Sequence, residues 1–375
     1  MWKFPIYEVN QPIDWEAMEA TYDWFRVMRD VPQDAIWHAE GSVFVHTKMV
    51  VTKLISFPEF QELDDQEKHI LVAAAMMHDI EKRSTTTTKI IDGKERIVSP
   101  KHAKRGEYTA RTILYKEMET PFEIREAITK LVRHHGSPLW AIEQEDTRKY
   151  VIAKSLEVNT AHVALLAKAD ILGRVCEDAE DMLLRIELFK ELCKEHNCFN
   201  KPKAFQSNYG RFLYLNKPEI SPDYLPFEDL KMNVYVLSGL PGSGKDTYIR
   251  KHFDLPILSL DDIRRAHKIS ATDKNKNGTV IQLAKEKAKT YLRKQTDFVF
   301  NATNITKEMR QKWIGLFTDY KAKAHLIYIE VPYSTLMKQN HNRDYKVPNN
   351  VIDKMIGKLE IPTFEEAHEI QFKIP

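Results

Sequence analysis

The chain has 375 residues and a formal charge of +2 from 56 basic and 54 acidic side chains. That length suits about two ordinary domains, and so even a charge excludes a partner chosen by net charge alone. The three cysteines, Cys176, Cys193 and Cys198, make neither a disulfide framework nor a C-x-x-C metal pair, which excludes the disulfide-rich secreted class and fits a reducing cytoplasm. No apolar run approaches the roughly 18 residues of a membrane span and no basic-then-apolar leader opens the sequence, so neither membrane insertion nor secretion is expected.

The first half reads as helices. Ile13 to Asp30 mixes aromatic and charged residues as a helix would, and Pro32 marks a loop. The run from Trp37 to Val50 puts His46 near the start of a helix reaching Ile55. In D-D-Q-E-K-H-I-L-V-A-A-A-M-M-H-D-I, Asp64 or Asp65 can cap the helix, and Ile70 to Met77 is apolar all round. A buried rod that ends in His78-Asp79 brings half-charged and charged groups into an apolar setting. They need a partner there, and a metal ion is the usual one. Similar donors recur on later helices. His102 opens K-H-A-K-R-G-E-Y, His134 and His135 close I-T-K-L-V-R-H-H-G ahead of Pro138, and Asp170 lies in H-V-A-L-L-A-K-A-D-I-L. Imidazole and carboxylate together suit divalent transition metals. Each of these residues alone is ordinary on a helix; the series carries the signal. His38, His69, His162 and His196 fall outside it and read as structural or exposed, and Glu40 is a marginal addition to the metal-water network.

Residues 35 to 180 resemble the HD superfamily of metal-dependent phosphohydrolases. The resemblance implies that His46, His78, Asp79 and Asp170 bind one metal. It implies that Asp79 bridges to a second, held by His102 and by His134 or His135. Such a pair clamps a phosphate and activates water. Lys82 stands where that family has a phosphate-contacting lysine, with Glu81 in place of the usual glycine. Between Lys82 and Arg105 there are eight basic residues against two acidic ones. This stretch reads as a mobile loop or hairpin whose charge suits a polyanion over the metal site.

From Phe199 to residue 231 prolines break regular helices. The many aromatics (Phe205, Tyr209, Phe212, Tyr214, Tyr224, Phe227) argue for an ordered connector packing on both domains. The second half turns on N-V-Y-V-L-S-G-L-P-G-S-G-K-D-T. An apolar β-type run enters a glycine-rich turn (Gly239, Pro241, Gly242, Ser243, Gly244) closed by Lys245, and a helical pattern follows. This is the G-x-x-x-x-G-K phosphate loop, whose backbone N–H groups and lysine cradle a triphosphate. Asp246 replaces the Ser or Thr that usually holds Mg²⁺; it can bind the ion directly or through water, with Thr247 adjacent. A short strand in L-P-I-L-S-L leads to D-D-I-R-R-A, and Ala271 to Gly278 is a polar loop. A helix from Val280 to Lys294 and a strand from Phe298 to Phe300 follow, then another helix and the strand A-H-L-I-Y-I-E-V. Alternation of this kind means a parallel sheet with right-handed crossovers.

The segment from 232 to 370 resembles polynucleotide 5′-kinases of the phage and bacterial end-healing type. In that likeness Asp261 accepts the proton of the 5′-hydroxyl, Arg264 contacts the substrate backbone, and Arg343 is a lid arginine at the β/γ-phosphates. Lys338 or Lys346 can supply a missing second charge. Ala302 stands where the family has an acidic residue, which shifts Mg²⁺ toward Asp246 or Asp262. An HD phosphohydrolase ahead of such a kinase resembles the bacterial HD-Pnk end-healing family. The resemblance implies an all-α HD domain over residues 1–200, a linker over 201–231 and an α/β P-loop kinase over 232–375. It implies NTP-dependent phosphorylation of 5′-OH RNA or DNA ends and metal-dependent removal of 3′-phosphate or 2′,3′-cyclic phosphate, RNA being the favoured substrate and a ligase acting afterwards. ATP or another NTP with Mg²⁺ would serve one site, and one or two ions such as Mn, Ni or Co the other. Two alternatives stand beside it: a nucleotidase joined to a nucleoside or small-metabolite kinase, and an HD hydrolase regulated by ATP binding.

Overall fold

In the computed structural model, which describes residues 1–270, 273 and 275–374, the chain divides into two units, Met1–Ala204 and Phe205–Pro375. Of the expected polar loop from Ala271 to Gly278, residues Ala271, Thr272 and Lys274 lie outside the described residues.

The first unit is helical apart from one ribbon, which falls in the stretch expected as a loop or hairpin. The stretch expected as one helix from Ile13 to Asp30 is Trp15–Thr21, Asp23–Arg26 and a 3₁₀ turn Val27–Asp30. It breaks at Tyr22, whose backbone is extended at φ −115°, ψ 105°. Ser42 caps Val43–Ser56 by accepting from the Val45 N–H. Asp64 caps Asp65–Met77 through a full capping box: its carboxylate accepts from Glu67 N at 2.8 Å, and Glu67 reaches back to Asp64 N at 3.2 Å. Two satisfied end donors and a core-facing run from Leu71 to Met77, at most 1% exposed, hold this helix in the middle of the unit. His102–Lys116 and Phe122–His134 follow, and Thr160–Leu172 lies against Val43–Ser56. Gly173 ends that last helix where a Cβ would sit 2.7 Å from the Val50 backbone; only glycine allows so close an approach. The ribbon is β1 (Thr87–Ile91) paired antiparallel with β2 (Lys94–Val98).

The second unit is built on β3 (Met232–Ser238), β4 (Ile257–Ser259), β5 (Phe298–Asn301), β6 (Ala322–Ile329) and β7 (Glu369–Lys373). All pairings are parallel, in the order β4-β5-β3-β6-β7. β7 adds a strand beyond those expected from sequence. Val234 and Val236 of β3 pack with Phe298, Phe300, Leu326 and Phe317 in a core without solvent access. The chain passes from β3 to β4 on one side and later from β5 across to β6 on the other, so the carboxyl ends of the strands around β3 open a crevice at the switch point. The segment expected as a linker belongs to this unit from Phe205 onward. The helix Asn208–Asn216 is tied to the approach to β7, because the Arg211 guanidinium donates to the carbonyls of Phe364 and His368 at 3.2 and 2.8 Å. Among the described residues no helix is long and apolar enough to cross a membrane.

Candidate functional sites

In the first unit, helix ends converge on one buried point. His46 comes from the first turn of Val43–Ser56, and His78 and Asp79 from the end of Asp65–Met77. His102 opens the next helix, His135 follows Phe122–His134, and Asp170 lies in the last turns of Thr160–Leu172. His46 Nε2 and His78 Nε2 are 3.3 Å apart, and Asp79 Oδ2 lies 3.6 and 3.3 Å from them. Asp170 Oδ1 is 3.1 Å from His46 Nε2. On the other side His102 Nε2 is 3.3 Å from both His135 Nε2 and Asp79 Oδ1. Asp79 therefore faces two groups of donors with its two oxygens, and each group can hold an ion.

The outer nitrogens decide what the inner ones are. The Nδ1 atoms of His46, His78, His102 and His135 lie 3.2, 2.7, 2.8 and 2.8 Å from the carbonyl oxygens of Gly173, Ala75, Ser99 and Val132. A carbonyl only accepts, so each Nδ1 carries a hydrogen, and in a neutral ring Nε2 then presents a lone pair inward. Two such lone pairs facing at 3.3 Å repel unless a cation stands between them. Asp79 Oδ1, buried and accepting no hydrogen bond, is an orphan of the same sign. The residues present thus fit one or two divalent metal ions. Burial pushes the His135 imidazole down to about 3 and lowers that of His102, which keeps both neutral. Burial alone would raise the Asp79 carboxyl, but Lys82, His78 and His102 hold it well below the usual carboxylate range. Lys82 Nζ sits 2.7 Å from Asp79 Oδ2 and donates to Gln33 Oε1 at 2.7 Å.

Of the adjacent pair, His135 joins the cluster and His134 does not. The His134 Nε2 faces Glu157 at 3.4 Å and its Nδ1 faces Ser137. Consecutive helical residues diverge by about 100°, so only one of the two can point inward. Glu81, the departure noted in the motif, turns away to Arg83 and Thr109. Glu40 has a larger part than sequence assigns it: its Oε1 lies 3.0 Å from His46 Nδ1 and 2.9 Å from His38 Nδ1, and its Oε2 accepts from Val175 N. Gln33, well before the first ligand in the chain, and Arg174, four residues after Asp170 and beside it, both went unnoticed in the sequence.

In the second unit the loop after β3 runs from Gly239 to Gly244 and opens the helix Lys245–His252. Gly239 has φ +151°, and a Cβ there would meet the Ile329 carbonyl oxygen at 2.3 Å, so no other residue fits. Lys245 Nζ donates to the loop's own Gly239 and Leu240 carbonyls at 2.7 and 2.9 Å. Burial brings its ammonium down to about 8, with Asp246 opposing and Arg343 adding to the fall. Ser243 Oγ and one Arg343 nitrogen are buried without hydrogen-bond partners, donors of the sign a phosphate needs. Pro241 and Gly242 complete the turn, and Thr247 is exposed on the helix beyond it.

A cleft of about 270 Å³ adjoins this loop, lined by Asp246, Ser259, Asp261, Asp262, Arg265, Asn301 and Arg343 among others. Ser259 caps the helix Leu260–Ala266 by accepting from Asp262 N, which sets Asp261 at the mouth. The Arg264 guanidinium is turned to Asp261 at 2.9 Å and to Asn277 at 3.0 Å, while the next residue, Arg265, lines the cleft and pairs with Asp262. Asp246 Oδ1 accepts from Asn301 Nδ2 at 2.7 Å. Asp246, Asp261 and Asp262 all line the cleft and offer it the hard oxygen donors that Mg²⁺ takes. Neither Lys338 nor Lys346 lines the cleft; both are exposed.

Comparison with known proteins bears on this second unit. A family model described as AAA domain matches residues 234–362. The L-seryl-tRNA(Sec) kinase of Methanococcus maripaludis is 25% identical over 148 residues, which are 36% of this chain and 55% of that protein; the chain thus spans about half the length of this curated relative. Two crystal structures show similarity at lower identity. A kinase candidate from Chloroflexus aurantiacus is 14% identical, covers 39% of this chain and 86% of its own, and has a TM-score of 0.33. A gluconokinase from Sinorhizobium meliloti is 15% identical, covers 39% and 83%, and has a TM-score of 0.28. The second unit holds a P-loop kinase-like domain.

Proposed function

We propose that the protein heals broken nucleic-acid ends. Its first unit would remove a 3′-phosphate or open and remove a 2′,3′-cyclic phosphate, and its second would phosphorylate a 5′-hydroxyl from a nucleoside triphosphate. One observation carries this reading: a buried cluster of inward lone pairs suited to two cations shares a chain with a kinase-type phosphate loop. The first unit is then an HD-type phosphohydrolase and the whole a member of the HD-Pnk type.

His46, His78 and Asp170 on one side of Asp79, and His102 and His135 on the other, would hold the metals. Bound there, divalent ions supply Lewis acidity toward a phosphate ester and an attacking water. Lys82 holds the Asp79 carboxylate and meets the substrate's charge from the same side. In the second unit Asp261 would take the proton of the acceptor hydroxyl, while Lys245 and Arg343 meet the transferred phosphoryl charge. Asp246, braced by Asn301, is the carboxylate best set for Mg²⁺. The curated relative is named for a tRNA substrate, which supports RNA as the acceptor here. The three free thiols suit a reducing cytoplasm.

The test is an oligonucleotide with a 5′-hydroxyl and a 3′-phosphate, labelled internally and incubated with ATP, Mg²⁺ and Mn²⁺, Ni²⁺ or Co²⁺. Both ends are read together. Gain of one phosphate and loss of the other is the expected result. Phosphorylation of free nucleosides or small alcohols but of no oligonucleotide points to a metabolite kinase. No acceptor phosphorylated, with ATP changing the rate of ester hydrolysis, points to a nucleotide-regulated hydrolase.

A further inference from the structure

The stretch from Lys82 to Arg105 carries eight basic residues and two acidic ones, and its middle is the β1–β2 ribbon. Every residue of β1 is exposed. The strand covers no core, so burial does not account for its presence. The ribbon is held at its base. Asp34 accepts from Ile97 N at 3.1 Å and pairs with Arg96 at 3.5 Å, and Thr86 and Ser99 share a hydroxyl hydrogen bond of 2.8 Å.

Both attachments lead to the metal cluster. Ser99 O is the acceptor that orients His102 Nδ1. Asp34 begins the turn that carries Trp37 and His38, whose ring centroid lies 4.7 Å from that of His46. On this rim Trp37 is 39% exposed, with the Arg96 guanidinium 5.6 Å from its ring centroid. A phosphate monoester on a small molecule needs neither a projecting cationic ribbon nor an exposed indole. A single nucleic-acid strand uses both, since cations track its backbone and aromatic faces stack its bases.

We propose that the β1–β2 ribbon and Trp37 form a grip for a single-stranded polynucleotide whose 3′-terminal phosphate enters the metal cluster. Lys89 and Lys94 face backbone phosphates, and Trp37 stacks a base near the end. The proposal rests on the phosphohydrolase reading above and adds how the polymer is told from a small ester.

Full-length Lys89→Ala/Lys94→Ala and Trp37→Ala variants are compared with the parent on a 3′-phosphorylated RNA of about 12 nucleotides and on p-nitrophenyl phosphate. The ratio of kcat/KM for the RNA to kcat/KM for the small ester is expected to fall about ten-fold in each variant. In the lysine variant the salt dependence of log kcat/KM for RNA flattens by about 1.4, two contacts' worth on a single strand. An unchanged ratio, or an equal loss on both substrates, overturns the grip. A second readout needs no turnover. The same RNA with 4-thiouridine next to its last nucleotide is irradiated with the parent protein on ice, and the cross-linked peptide is mapped. It is expected within residues 33–41 or 87–98, and a cross-link confined to other segments overturns the proposal. If the parent hydrolyses neither ester, the phosphohydrolase reading fails, and the cross-link still decides whether the ribbon holds RNA.

Discussion

The two candidate sites are opposites in polarity. The first unit gathers acceptors: four imidazole lone pairs and two carboxylates pointed at one another in the interior. The second gathers donors: a glycine loop at a helix start, a lysine and an arginine with an unpartnered nitrogen. Like-signed groups packed together cost free energy unless the opposite charge arrives. The first site is therefore shaped for cations and the phosphate loop of the second for an anion, so a change in one is expected to leave the other working.

The largest effects follow from that independence. Asp79→Asn removes the carboxylate both ion groups share and is expected to lower phosphohydrolase activity about 1000-fold or more, with bound metal lost by elemental analysis and kinase activity retained. A ligand should cost more than the 10- to 100-fold typical of an outer-shell partner. Lys245→Ala should do the reverse, lowering phosphorylation about 100- to 1000-fold while hydrolysis persists. If either change in a folded protein silences both reactions, the two sites are not separate.

Acid should expose a second contrast. Burial alone would raise the Glu107 and Glu126 carboxyls in the first unit. Lys130 and Arg111 beside Glu107, and Arg111 and Arg125 beside Glu126, hold both at about 2 against an ordinary 4.5. Lowered carboxyls stabilise the fold fully above pH 4.5, and that contribution disappears as pH falls through about 2. The loss is on the order of a few kcal/mol, so the helical unit should melt in this window when followed by circular dichroism. A urea midpoint that stays constant from pH 5 to 3 would count against the network.

The smallest expected effect sharpens the account of ligand orientation. Glu40→Gln keeps the size of the side chain but weakens its hold on His46 Nδ1, and metal affinity should fall about ten-fold by titration calorimetry. His134→Ala, one residue from a ligand but turned to Glu157, should leave metal stoichiometry as it is.

The phosphate loop was legible because its parts lie within a few residues of one another, and the strand before it and helix after it supply the context the motif needs. The buried His/Asp cluster was legible only as a series of donors on separate helices, since spacing says nothing of which atoms meet. The choice between His134 and His135 turns on helical phase at a terminus, and sequence does not resolve that to one residue. Tyr22 breaks a helix expected to be continuous, its backbone being extended where the side-chain pattern alone reads as helix. β7 was missed because it is a short edge strand of intermediate burial, with no apolar run to announce it. Arg265 rather than Arg264 lines the cleft, and here again neighbouring residues on one helix differ only in direction.

Lys245 resting on the carbonyls of its own loop has a consequence for nucleotide binding. With its ammonium brought down to about 8, part of the population is neutral in mildly alkaline solution. A triphosphate arriving in the cradle restores the charge, so association near and above that pH draws a proton from solvent. The heat of nucleotide binding should then depend on the ionisation enthalpy of the buffer in alkaline solution and lose that dependence near neutrality.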